Sequence, residues 1–88
     1  MKINSKFVLR QVVNTWVVLP LADEMVNFNG MITLNESGVL LWRALEEGTD
    51  REGLVRKLTD AYGISDAQAA ADVDEFVSSL LAVGCLDL

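Results

Sequence analysis

Histidine is absent from this 88-residue chain. The commonest general base and metal ligand is therefore missing. Cysteine occurs once, as Cys85, so no internal disulfide can form and no second thiol supports redox chemistry. With no histidine to activate it, Cys85 reads as a small apolar core residue rather than a nucleophile. Proline also occurs once, as Pro20. No Pro-rich or Ser/Gly-rich linker, repeat or low-complexity tract divides the chain, and residues 1–88 read as one domain. No apolar run approaches the ~20 residues of a membrane span. The stretch from Phe7 to Leu21 is interrupted by Arg10, Gln11 and Asn14, which excludes a signal segment. No glycine-rich phosphate loop and no metal-ligand spacing is present. The expectation is a cytoplasmic protein with no catalytic residue, no metal and no cofactor.

The apolar fraction of 51% is too high for a disordered chain and sufficient for a packed core. Net charge is −6, and the acids concentrate in the second half. Such a surface repels phosphate backbones and acidic lipids, so neither nucleic acid nor membrane is an expected partner.

Periodicity gives the elements. Phe7–Val13 and Trp16–Leu19 are β-branched runs joined at Asn14-Thr15, and they predict an antiparallel hairpin limited by Pro20. Residues 22–29 are ambiguous. Asn29-Gly30 signals a turn before a third strand, Met31-Ile32-Thr33-Leu34.

Three helices follow. Asn35 is placed to cap the first, with Leu34 and Val39 as a hydrophobic staple and Gly48 past its end. Leu41, Trp42 and Leu45 form its apolar stripe. Thr49 with Glu52 reads as a capping box for the second helix, whose stripe is Leu54, Val55, Leu58, Ala61 and Tyr62. Ser65 with Gln68 reads as a box for the third, with Ile64 and Ala69 as its staple. Val73, Phe76, Val77, Leu80 and Leu81 recur at i, i+3, i+4, i+7 and i+8, and Gly84 ends the helix. Leu86 and Leu88 suggest a short tail strand.

Three antiparallel strands followed by three helices argue an α+β fold. The tight Gly63-Ile64 connection gives it a winged helix-turn-helix character. Yet the third helix, the reading helix of a DNA binder, carries Asp66, Asp72, Asp74 and Glu75 without one Lys or Arg. Groove reading needs those bases. Asp72, Asp74 and Glu75 read as a solvated face opposite the stripe, not an acid/base pair. A carrier protein is disfavoured too: neither Ser37 nor Ser65 follows the Asp that would mark a phosphopantetheine site. What remains is a sheet edge, whose free amides and carbonyls can accept an added strand.

Leu34-Asn35-Glu36-Ser37-Gly38, then Leu41-Trp42 and Leu45-Glu46-Glu47-Gly48, resembles the pattern of the PqqD family, named for coenzyme PQQ synthesis protein D. The likeness continues through Thr49, Leu54, Leu58, Tyr62, Val73, Phe76, Leu80-Leu81 and Gly84-Cys85-Leu86. It implies a recognition element for ribosomally synthesised, post-translationally modified peptides. Such a peptide chaperone binds the leader of a precursor peptide by β-strand addition and presents its core to a modifying enzyme, often a radical SAM protein. On matching positions, the resemblance assigns Met31, Ile32, Thr33 and Leu34 to the strand and Asp72, Phe76, Ser79 and Val83 to the groove wall, with Glu75 near the rim. Asn35 and Trp42 are left to cap and core. The acidic helix predicts a preference for leaders carrying Lys or Arg near the groove. Two rivals stand beside this reading: a winged-helix DNA-binding regulator, and a structural module that forms a homodimer through its sheet edge.

Overall fold

The computed structural model describes residues 1–21 and 32–88. A short strand, β1 (Lys2–Ile3), precedes a hairpin of β2 (Phe7–Val12) and β3 (Thr15–Pro20). β4 (Ile32–Leu34) runs into α1 (Glu36–Glu47), followed by α2 (Arg51–Tyr62), α3 (Asp66–Val83) and β5 (Leu86–Asp87). This is the α+β arrangement expected, with the suggested tail strand and, among the described residues, one further short strand, β1. Met31 and residues 22–30, including the expected Asn29-Gly30 turn, lie outside the described residues. No helix among the described residues is long and apolar enough to cross a membrane.

Among the described residues two antiparallel sheets form, one ordered β2-β3-β4 and one pairing β1 with β5. The hairpin pairs Val12 with Thr15, so its two-residue turn is Val13-Asn14, one position earlier than the sequence suggests. Val13 there adopts φ 58°, a conformation costly for a β-branched residue and favoured by glycine. The chemistry of this turn is unfavourable, which is why the sequence misplaces it.

Side chains alternate across each strand. Leu9 pairs with Val18, and Val18 with Ile32; Trp16 pairs with Leu34. These residues share the face that packs on the helices, with Phe7, Leu9 and Val18 buried and Trp16, Ile32 and Leu34 half-buried against the same core. Val17 is buried on the opposite face and does not join that cluster. Trp42, Leu45, Leu54, Leu58, Val73, Leu80 and Cys85 fill the centre. Burial pushes the Cys85 thiol up to about 11, consistent with a packing role.

Caps set the helix starts. Asn35 Oδ1 accepts from the Gly38 amide at 2.9 Å. The second helix starts one residue later than expected: Asp50, not Thr49, is its N-cap, accepting from the Gly53 amide at 2.8 Å. Both are good capping residues, and the sequence alone does not rank them. Ser65 caps α3 by accepting from the Gln68 amide at 3.1 Å. The Gln68 side chain does not close the box; it donates to Asp72 at 2.9 Å. The α2 stripe is also narrower than expected, since Ala61 and Tyr62 are exposed, and Leu81 is exposed on α3.

The chain ends meet. β1 pairs with β5 through Ile3 and Leu86, Asn4 donates its amide to the Cys85 carbonyl at 2.7 Å, and the Thr49 amide donates to the Met1 carbonyl at 3.0 Å. The tail strand thus exists, but it comprises Leu86 and Asp87, and Leu88 is exposed.

Candidate functional site

Among the described residues, β4 has a partner on one side only. There it pairs with β3, through Leu34–Trp16, Thr33–Val17 and Ile32–Val18, and no described strand occupies its other side. An antiparallel ladder turns the amides and carbonyls of successive residues to opposite sides. A three-residue edge strand therefore offers outward groups at Thr33, or at both Ile32 and Leu34. Ile32 and Leu34 direct their side chains toward the helical layer, while Thr33 is exposed on the outer face.

The end of β4 abuts a cavity of about 340 Å³. One side is the start of α1, where Asn35, Ser37 and Gly38 line it. Opposite stand Asp72, Glu75, Phe76 and Ser79 of α3. These four follow helical spacing, one face of the helix. Leu41 and Leu58 complete the apolar part of the lining. The approach of α1 to β4 depends on Gly38: a Cβ there would lie 3.3 Å from both the Leu34 Cβ and Asn35 Oδ1.

The rim is acidic. No Lys or Arg of the described residues forms an ion pair with Asp72 or Glu75. Asp72 accepts the neutral amide of Gln68. The neighbouring Asp74 differs: Arg51 grips it with two hydrogen bonds, at 2.7 and 2.9 Å. These bonds, together with the charge of Arg51, hold the Asp74 carboxyl below the usual carboxylate range. Both partners are exposed, so the pair adds little to stability; it ties Arg51 to Asp74 and away from the groove rim. On the hairpin side, Arg43 lies 5.5 Å over the Trp16 ring and bonds Glu46 at 3.1 Å.

The structure brings some of the expected residues together and not others. Asp72, Glu75, Phe76 and Ser79 share the cavity wall. Ile32, Thr33 and Leu34 form the edge strand, which reaches the cavity at its Leu34 end without lining it. Val83 packs half-buried against the core and does not line the cavity, because it lies a further turn along the helix. Met31 lies outside the described residues. Sequence reasoning misses Asn35, Ser37, Gly38, Leu41 and Leu58 as lining residues. Asn35 caps the helix and lines the cavity at once; a glycine at the third helical position after a strand is the available signal.

A larger cleft, about 460 Å³, lies between α2 and α3 around Arg51, Val55, Arg56 and Ala70. It is lined by the two helices alone, without a strand edge to offer backbone groups.

Comparison with known proteins gives three findings. The family model for coenzyme PQQ synthesis protein D (PqqD) matches residues 15–86. No curated protein matches the sequence significantly. The fold is shared with the solved structure of TbiB1 in complex with the TbiA(beta) leader peptide, at 24% identity and a TM-score of 0.78, covering 99% of this chain and 95% of that one. It is shared also with a lasso peptide synthetase B1 complexed with the leader peptide, at 20% identity and a TM-score of 0.74, covering 96% and 93%.

Proposed function

The chain belongs to the PqqD family, and from this premise we propose that it is a non-catalytic carrier for the leader of a ribosomally made precursor peptide. The leader adds to the sheet as a strand on β4 and runs beside α3. The observation that carries this reading is the side of β4 that no described strand occupies, followed at Asn35 by a cavity walled by Asp72, Glu75, Phe76 and Ser79. Backbone bonds along the edge supply sequence-tolerant affinity, and side chains entering the cavity supply selectivity. The shared fold of two proteins solved with leader peptides supports the same assignment.

Binding residues on this reading are Ile32, Thr33 and Leu34 of the strand and Asp72, Glu75, Phe76 and Ser79 of the helix. Asn35, Ser37 and Gly38 bound the groove from α1. The chain itself performs no chemistry; it holds the leader while a separate enzyme, a radical SAM protein on the family resemblance, modifies the core. It works in the cytoplasm, where the precursor is made.

Fluorescence anisotropy tests the reading against its rivals. A labelled leader peptide of such a precursor should bind the full chain, and duplex DNA should not bind at physiological salt. DNA binding that weakens steeply with salt, with no peptide binding, would establish the regulator instead. Light scattering that shows a dimer unaffected by peptide would favour the structural module.

A further inference from the structure

The walls of the cavity do not match in polarity. Leu41 and Leu58 are almost wholly buried and Phe76 is half-buried, so they form an apolar lining. Asp72 and Glu75 stand exposed above it, and neither pairs with a cation of the described residues. The start of α1 faces them. A helix N-terminus carries roughly half a positive charge and favours anions. Here the Gly38 amide is already taken by Asn35 Oδ1 at 2.9 Å, and Glu36 adds a carboxylate to the first turn. Two full negative charges therefore outweigh one capped helix end.

An apolar lining below an anionic rim fits one kind of side chain: a long alkyl stem with a cationic head. A carboxylate ligand meets repulsion there, and a short apolar one leaves the rim unpaired. We propose that the bound strand carries a lysine or arginine at the position beside the Leu34 end of β4. Its stem lies on Leu41, Leu58 and Phe76, and its head reaches Asp72 and Glu75. This rests on the leader-carrier reading and deepens it by naming the class of leader: basic at one groove-facing position. Because side chains of an added strand alternate, only every second residue of the leader points into the groove. The cation is thus selected at a fixed position and not along the whole peptide.

A selection from a randomised peptide library displayed on its encoding mRNA, with the full chain as bait, tests this. The expected result is a family of extended peptides enriched in Lys or Arg at one position of a period-two pattern. In the best of them, replacing that residue by norleucine should weaken binding about three- to tenfold. The same replacement should change binding less than about twofold in the Asp72→Asn/Glu75→Gln protein, since the charge partner is gone. Both substitutions are on exposed positions, and the amide introduced by Asp72→Asn keeps an oxygen to accept from Gln68, so the fold is kept. Extended peptides selected without a basic position, or a norleucine effect equal in the two proteins, would overturn the inference and leave the carrier reading standing. Recovery of no extended peptide would overturn both.

Discussion

Prolines placed at adjacent positions of β4 separate the two sides of that strand. Successive residues turn their amides to opposite sides of an antiparallel strand. Of Ile32 and Thr33, one therefore donates to β3 and the other points away from it, to the side no described strand occupies. Proline removes the donor at either site. A net backbone hydrogen bond contributes ~0.5–1.5 kcal/mol, and an unpaired acceptor left behind costs more. On the β3 side this lowers stability by about 1–2 kcal/mol, read as a fall in the melting temperature of ~4–8 °C per kcal/mol for a domain of this size. On the open side the same loss appears in affinity, as roughly a five- to thirtyfold rise in Kd for the precursor. Ile32→Pro also removes a half-buried side chain, and Ile32→Ala supplies the correction. Circular dichroism melts and anisotropy titrations of Ile32→Pro, Thr33→Pro, Ile32→Ala and Thr33→Ala give the answer. One proline should be mainly a stability variant and the other mainly a binding variant. If neither changes affinity beyond its alanine control, strand addition on β4 is wrong.

Three other outcomes are expected. Asp50→Ala should cost about 1 kcal/mol in chemical denaturation and Thr49→Ala under about half of that, because Asp50 holds the Gly53 amide and caps of this type are worth ~1 kcal/mol; Asn35→Ala should resemble Asp50→Ala. Val13→Gly should raise stability by about 0.5–1 kcal/mol, since Val13 sits at φ 58° and is exposed, and the relief of ~1–2 kcal/mol of strain exceeds the added entropy of glycine; an unchanged or lower urea midpoint would refute it. The Cys85 thiol is raised from 9.0 to about 11 by burial, so the folded protein keeps its proton where the unfolded chain loses it. That contribution is fully present below about pH 9 and is lost as pH rises through about 11, and urea midpoints across this window should fall less steeply for Cys85→Ala.

Local chemistry is what the sequence displays, and the elements governed by it are read correctly. Asn35 and Ser65 act as caps, Gly48, Gly63 and Gly84 end their helices with positive φ, and Val73 and Leu80 face the core. The misreadings fall where local signals compete or are absent. Thr49 and Asp50 are both capping residues, so the start of α2 slips by one. Val13 occupies a turn position that suits glycine, so the hairpin turn slips as well. β1 is two residues long and pairs with the tail strand β5 from the opposite end of the chain, a pairing without local pattern. For the groove, Asp72, Glu75, Phe76 and Ser79 come from the family resemblance; by themselves the carboxylates read as a solvated helix face. Leu58 and Gly38 enter only through the packing of α1 and α2, and Asn35 escapes notice because its capping role already accounts for it.

Amide hydrogen exchange of the ¹⁵N-labelled chain, with and without saturating precursor peptide, tests the central claim most directly. The account predicts that the outward-facing amide or amides among Ile32, Thr33 and Leu34 gain at least about tenfold protection on binding, with chemical-shift changes at Phe76 and Ser79. Peptide binding that leaves every β4 amide as exposed as before, or that protects β2 instead, would contradict it.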